Sequence, residues 1–104
     1  MADSFTWEQK LAAMQSLDDN ARPSMIEPGK WLCRHPGEIG GDGRLRSDAG
    51  RGATPELAVR AAWSLVIHLP SDRYLVVRRA GVRSNYRWSG FMWVQVPGSE
   101  AQRA

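Results

Sequence analysis

The sequence has few of the residues that define several familiar classes of protein. It contains one Cys in 104 residues, which excludes a framework of intramolecular disulfides. Two His and one Cys are too few for a typical zinc site. No apolar run approaches the roughly 18 residues that span a membrane, and the N-terminus lacks the basic and apolar segments of a signal peptide. We therefore expect a cytoplasmic protein without a membrane partner.

Familiar catalytic and cofactor-binding patterns are also missing. The segment at residues 37–52 holds six of the ten Gly but matches neither a phosphate loop nor a dinucleotide-binding turn. Cys33 would need a base and an orienting group to act as a nucleophile, and no such pattern surrounds it. Asp18 and Asp19 lie where a helix is expected to end, and they do not form an acid–base pair. We therefore predict a non-enzymatic protein with no cofactor and no metal.

The length and composition predict one folded domain. A chain of 104 residues matches a single domain. Its hydrophobic content of 42%, with five Trp, argues against disorder. We predict a single α+β domain over residues 1–98, followed by a flexible tail at 99–104.

Two helices are predicted from their start signals. Residues 6–9 spell Thr-x-x-Gln, a capping box, and the apolar spacing after it continues the helix for about three turns. Thr54 and Pro55 form the second start signal, and Pro70 ends this helix after about Leu69. The predicted buried face of the second helix comprises Ala58, Ala61, Ala62, Leu65, Val66 and Leu69.

The remaining segments predict strands joined by short turns. Pro28 and Gly29 suit a tight turn, and Gly90 suits a turn residue with positive φ. The order is then α-β-β-α-β-β-β, an α+β fold with one antiparallel sheet and two helices packed on it. The glycine-rich segment is expected to form a loose hairpin. The predicted strands are residues 24–27, 30–34, 73–79, 83–88 and 91–96, with a short additional strand possible at 44–46.

The turn lengths predict a register for the last three strands. A two-residue loop at 89–90 pairs Trp88 with Phe91, and a three-residue loop at 80–82 pairs Val76 with Tyr86. One face then carries Tyr74, Val76, Tyr86, Trp88, Phe91 and Trp93. The other face carries Leu75, Val77, Met92, Val94 and Val96, together with Arg73, Arg79, Arg83 and Arg87.

This register leaves two interpretations of the aromatic face. In one, the aromatic face is exposed beside arginines and stacks on the bases of single-stranded nucleic acid. In the other, the aromatic side chains belong to the core and the arginine-bearing face is solvated. A slip of one residue would exchange every side chain between the two faces.

Positive charge is concentrated in the second half of the chain. Residues 1–52 have a net charge of −1, and residues 53–104 have a net charge of +4. Between Arg73 and Gly90 there are five Arg and no acidic residue. Such a run is typical of a solvated sheet face, and it is also the pattern by which an anionic partner, nucleic acid first, is bound.

Three stretches of the sequence carry a resemblance to a known group. They are residues 27–31 (Glu-Pro-Gly-Lys-Trp), 52–59 (Gly-Ala-Thr-Pro-Glu-Leu-Ala-Val) and 86–93 (Tyr-Arg-Trp-Ser-Gly-Phe-Met-Trp). Together they resemble a group of small proteins of tailed phages and prophages of proteobacteria. The resemblance implies expression in a bacterial host cytoplasm and brings no catalytic residues.

Two functions follow as expectations. The first is a non-enzymatic phage accessory protein that binds a host or phage protein, because Trp, Tyr and Arg dominate protein interfaces. The second is a nucleic-acid-binding module that uses residues 73–90. A homodimer through a free sheet edge is a further possibility. The candidate binding residues are Arg78, Arg79, Arg83, Arg87, Tyr86, Trp88, Phe91 and Trp93.

Overall fold

The structure, a computed structural model, describes residues 5–41 and 45–96. The tail predicted at 99–104 lies outside the described residues, as does part of the tip of the predicted glycine-rich hairpin. The elements in chain order are α1 (Trp7–Gln15), β1 (Pro23–Glu27), β2 (Lys30–Arg34), β3 (Glu38–Gly40), β4 (Ala49–Gly52), α2 (Pro55–Ile67), β5 (Tyr74–Arg79), β6 (Val82–Trp88) and β7 (Trp93–Gln95).

The strands form two antiparallel sheets. Sheet A has the order β1-β2-β4, and sheet B has the order β3-β5-β6-β7. The predicted α+β class and the antiparallel pairing are confirmed, but the strands form two sheets where we predicted one. The difference arises in the glycine-rich segment, which supplies β3 to sheet B and β4 to sheet A. The predicted loose hairpin is present within this segment, because Ile39 and Arg46 exchange backbone hydrogen bonds at 2.8 and 2.9 Å in an antiparallel bridge.

Both helices begin at the residues that the capping signals predict. In α1, the Thr6 hydroxyl accepts from the Gln9 N–H at 3.2 Å, and the Gln9 side chain accepts from the Thr6 N–H at 2.9 Å. In α2, the Thr54 hydroxyl accepts from the Leu57 N–H at 3.2 Å, with Pro55 at the first helical position. These local contacts satisfy N–H groups that a helix start leaves without partners.

Helix α2 lies directly against sheet A because β4 carries glycine where the two meet. A Cβ atom at Gly50 would overlap the backbone of α2 at Ala58 and Ala62. A Cβ atom at Gly52 would overlap Leu57. Any larger residue at these positions would therefore hold the helix away from the sheet.

The buried face of α2 differs from the predicted one. Its buried residues are Ala58, Val59, Ala62, Trp63 and Val66. Three residues of the predicted face do not fit, since Leu65 is exposed, Ala61 is half-buried, and Leu69 is half-buried and lies beyond Ile67, where α2 ends. The buried arc is rotated toward Trp63 because the helix packs on sheet A and also contacts α1 and sheet B.

The register predicted for the last three strands is wrong at both turns. Arg79 pairs with Val82, so the first turn has two residues, and Trp88 pairs with Trp93, so the second loop has four. Tyr86 consequently pairs with Leu75 and with Gln95. The two faces of the sheet therefore differ in composition from those we predicted.

Candidate functional site

The observed register separates the aromatic side chains from most of the arginines. Side chains alternate along β6, so Tyr86 and Trp88 share one face while Arg83 and Arg87 lie on the other. The face of Tyr86 and Trp88 packs against the core, as the second interpretation predicted. The aliphatic residues Leu75 and Val77 of β5 belong to this same face, in contrast to the predicted division.

Four aromatic rings form a continuous aromatic series in which the buried Trp63 lies between the exposed Phe5 and the half-buried Trp88 and Trp93. The centroids of Phe5 and Trp63 are 5.7 Å apart, those of Trp63 and Trp88 4.9 Å, and those of Trp88 and Trp93 5.0 Å. All three pairs are edge-to-face, the arrangement that the charge distribution of aromatic rings favours. Trp63 is only 2% exposed, whereas Trp88 and Trp93 are half-buried, so the series presents a fixed aromatic surface.

An apolar groove, the α1 groove, runs between α1 and the loop at residues 89–92. Its volume is about 420 Å³. Among the described residues, no Asp, Glu, Lys or Arg lines it, and its few polar groups are uncharged. Its lining residues are Phe5, Gln9, Ala13, Ser16 and Leu17 on one side, and Trp88, Phe91, Met92 and Trp93 on the other.

The loop at 89–92 holds two large apolar side chains out toward solvent. The Ser89 N–H donates to the Met92 carbonyl at 2.9 Å, and the Met92 N–H donates to the Ser89 hydroxyl at 3.3 Å. Gly90 adopts a φ of +114°, which a glycine tolerates without strain. Phe91 is 72% exposed and Met92 50% exposed. Their exposure is thus fixed by a hydrogen-bonded loop.

The guanidinium of Arg79 lies beside the α1 groove, at the C-terminal end of α1. The Arg79 guanidinium donates through Nε to the Leu17 carbonyl at 2.8 Å and through Nη2 to the Ser16 carbonyl. Within the described residues, Arg79 has no carboxylate partner. Its positive charge is therefore held in place near residues that line the groove.

The other three candidate arginines lie away from the α1 groove. Arg78 pairs with Glu38 at 2.5 Å. Arg87 donates to the Ser71 and Arg73 carbonyls and packs over the Tyr74 ring at 5.8 Å. Arg83 is exposed and makes no hydrogen bond or ion pair with the described part of the chain.

His35 is one of the residues that line a second, polar cavity of about 500 Å³. The His35 ring is 3% exposed, and its Nε2 accepts from the Asp48 N–H at 2.9 Å. Its Nδ1 lies 3.3 Å from the Pro36 carbonyl, so the neutral ring carries its proton there. Burial lowers the pKa of His35 from its ordinary value of 6.5, against the opposing effects of the Pro36 hydrogen bond and Asp48. Both ring nitrogens are engaged by backbone groups, the Pro36 carbonyl and the Asp48 N–H, so His35 has a structural role.

The lowered pKa of His35 predicts that acid destabilises the fold. Between the lowered pKa and 6.5, the unfolded chain binds more protons at this residue than the folded protein. The stabilisation from neutral His35 is therefore complete above pH 6.5 and is lost as the pH falls below that value. Urea unfolding at a series of pH values should show this decline, and His35→Gln should flatten it. A stability that stays constant or rises on acidification would contradict the assignment.

Cys33 is buried in the core and lacks the features of a nucleophile. Its side chain is 0% exposed, and burial raises the pKa of its thiol to about 11. The thiolate that would react is therefore disfavoured, as expected for a small core residue.

We predict that Cys33 is protected from thiol reagents in the folded protein. At pH 8, alkylation of the native protein should be at least about 100-fold slower than that of the urea-unfolded chain, because reaction requires opening of the core. The two rates can be measured with the same reagent by mass spectrometry. Equal rates would place Cys33 at the surface.

Neither known proteins nor a metal site among the described residues indicates a function for this chain. Compared with protein-family models, with curated proteins and with solved structures, the chain matches none. Over residues 5–41 and 45–96, no group of three or more His, Cys, Asp or Glu is placed to hold a metal ion. No helix in this part of the chain is long and apolar enough to cross a membrane.

The structure brings together three of the residues predicted for the site. Trp88, Phe91 and Trp93 line the α1 groove, and Arg79 lies at its end. Tyr86 packs against the core without lining the groove. Sequence reasoning missed Met92, which it placed on the opposite face, and the wall that α1 contributes. The sequence signal that could have indicated Met92 was its position beside Phe91, directly after the turn residue Gly90.

Proposed function

We propose that this chain is a non-enzymatic accessory protein of a phage or prophage that works by binding another protein in the host cytoplasm. The observation that carries the proposal is the α1 groove, an uncharged apolar surface whose rim, Phe91 and Met92, is held exposed by a hydrogen-bonded loop. Fixed exposed apolar patches mark protein interaction sites.

The character of the groove suggests how a partner binds. Its floor consists of Trp88 and Trp93, and large rigid aromatic surfaces supply most of the binding energy in many interfaces. A groove lined by apolar and uncharged groups suits the apolar side chains of an amphipathic helix or an extended segment. The phage context rests on the resemblance of the three sequence stretches.

Paired variants in a capture experiment test the proposal. The variant Phe91→Ser with Met92→Ser removes the rim, and Leu65→Gln, an exposed change on α2, is the matched control. Both should lower the free energy of unfolding by no more than about 1–2 kcal/mol, because the replaced side chains are only partly buried. Tagged proteins expressed in a proteobacterial host, with and without phage infection, are then compared by quantitative mass spectrometry.

The expected result is a protein that copurifies with the wild type and with the Leu65→Gln variant but is lost from the rim variant. A partner retained equally by all three forms would contradict binding through the α1 groove.

Nucleic-acid binding, the alternative from the sequence, has weaker support. Base stacking by a nucleic-acid binder requires several arginines beside exposed rings. Of the four candidate arginines, Arg83 and Arg87 lie on the face opposite Trp88, and Arg78 is paired with Glu38, which leaves Arg79 beside the α1 groove. We therefore expect no quenching of tryptophan fluorescence by single- or double-stranded oligonucleotides at low salt. Quenching that weakens steeply with salt, and that Arg83→Gln reduces, would instead favour this alternative.

A further inference from the structure

Exposed apolar side chains are concentrated at two separate places on the molecule. Nine large apolar residues of the described chain are exposed, and five of them lie at these places. Phe5, Phe91 and Met92 belong to the α1 groove, and Met25 and Ile26 belong to β1. The molecule therefore has two separate exposed apolar surfaces, one concave at the α1 groove and one along β1.

The hairpin of β1 and β2 presents a short apolar segment that ends in an acid. Strand β1 is an edge of sheet A, and a bulge between Met25 and Glu27 interrupts the alternation of its side chains. Met25 is 58% exposed and Ile26 56% exposed. Glu27 follows directly and forms an ion pair with the highly exposed Lys30, a type of contact that contributes little.

The α1 groove complements this segment, because it is apolar and has the positive charge of Arg79 beside it. Its lining is apolar, and the nearby Arg79 is fixed by the Ser16 and Leu17 carbonyls without a carboxylate partner in the described chain. Two large aliphatic side chains followed by a carboxylate therefore match the groove in both apolarity and charge. The structure itself supplies such a segment in residues 25–27.

We propose that the α1 groove of one molecule binds the β1–β2 hairpin of a second copy, with Met25 and Ile26 in the groove and Glu27 facing Arg79. The proposal rests on the proposed function of the groove as a protein-binding site and names its occupant. The contact joins two different surfaces, so it is heterologous and builds rings or open chains. The contact area is small, so association is weak and concentration-dependent.

Sedimentation equilibrium with complementary variants tests the proposal. The hairpin variant is Met25→Thr with Ile26→Thr, which keeps strand-compatible residues, and the groove variant is Phe91→Ser with Met92→Ser. The average mass of the wild type should rise above the monomer mass of 11.6 kDa with increasing concentration. Each variant alone should remain monomeric. An equimolar mixture should form a dimer of twice that mass and nothing larger, because it retains one intact groove and one intact hairpin.

Two further measurements define the contact. Leu65→Gln should associate like the wild type. Glu27→Lys should weaken association, because it places a lysine opposite Arg79.

A wild type that stays monomeric up to its solubility limit would overturn the inference, as would self-association of either variant alone. If the wild type stays monomeric but a different protein is still captured through position 91, self-association is disproved while protein binding through the α1 groove is not. The two proposals can therefore fail separately.

Discussion

Replacing Trp63 with alanine is expected to destabilise the fold by about 3–5 kcal/mol, the usual cost of removing a large buried aromatic side chain. Trp63 is 2% exposed and joins α2 to both Phe5 and Trp88 through ring contacts. Its loss would leave a cavity under the floor of the α1 groove. Because a domain of this size is stable by only about 5–15 kcal/mol, urea unfolding should show a large shift in midpoint.

The conservative replacement Trp63→Phe provides the control. The indole Nε1 of Trp63 is buried and makes no hydrogen bond with any group of the described chain. Phenylalanine removes this donor, whose desolvation costs about 1–3 kcal/mol, while it keeps most of the ring packing. We therefore expect a much smaller loss of stability than for alanine. If alanine and phenylalanine cost the same, the aromatic series does not stabilise the core as described.

Replacing Gly50 with alanine is expected to cost about 3 kcal/mol or more, although it adds a single methyl group. The new Cβ would overlap the Ala62 nitrogen, the Ala58 oxygen and the Ala61 carbonyl carbon, all of them backbone atoms of α2. Backbone atoms inside a helix cannot rotate away, so the helix itself must move off sheet A. Chemical denaturation of the variant measures the loss.

Gly29→Ala is the matched control for this substitution. Gly29 also lies in sheet A's hairpin, but a Cβ there meets nothing within 4 Å. Its φ of +78° is left-handed, so alanine there should cost only about 1–2 kcal/mol of backbone strain. A Gly50→Ala variant no less stable than Gly29→Ala would show that β4 and α2 are not in close contact.

The helices could be predicted from the sequence because their signals are local. The capping box joins Thr6 to Gln9 and the second cap joins Thr54 to Leu57, in each case three positions apart, and both contacts are present in the structure. The strands β2, β5 and β6 were likewise indicated by short runs of strand-forming residues. Local patterns of this kind do not depend on how the rest of the chain folds.

The register of sheet B was not predictable from the same patterns. Ala80 adopts a φ of +50°, a conformation that alanine rarely takes, and this allows a two-residue turn where three residues were predicted. Ser89 closes its loop onto Met92 through side-chain and main-chain bonds, which lengthens the second loop to four residues. Each turn changes the pairing, so the predicted faces were mixed.

The candidate site was predictable only on the side that sheet B contributes. Trp88, Phe91 and Trp93 stood out as aromatic residues around a turn glycine, and they line the α1 groove. The opposite wall comes from α1, far away in sequence, and depends on how α1 packs beside α2. Arg79 was selected for its charge, but its position at the end of α1 depends on carbonyls 62 and 63 residues away.

Site-specific photo-cross-linking from position 91 tests the central claim most directly, because it reports what touches the rim of the α1 groove. A photoreactive phenylalanine analogue replaces Phe91, which is 72% exposed, and a second form carries it at Leu65 as the control. After irradiation in a proteobacterial host, we expect a discrete adduct with another polypeptide from position 91 and none from position 65. Absence of an adduct at position 91, or the same adducts from both positions, would contradict protein binding through this groove.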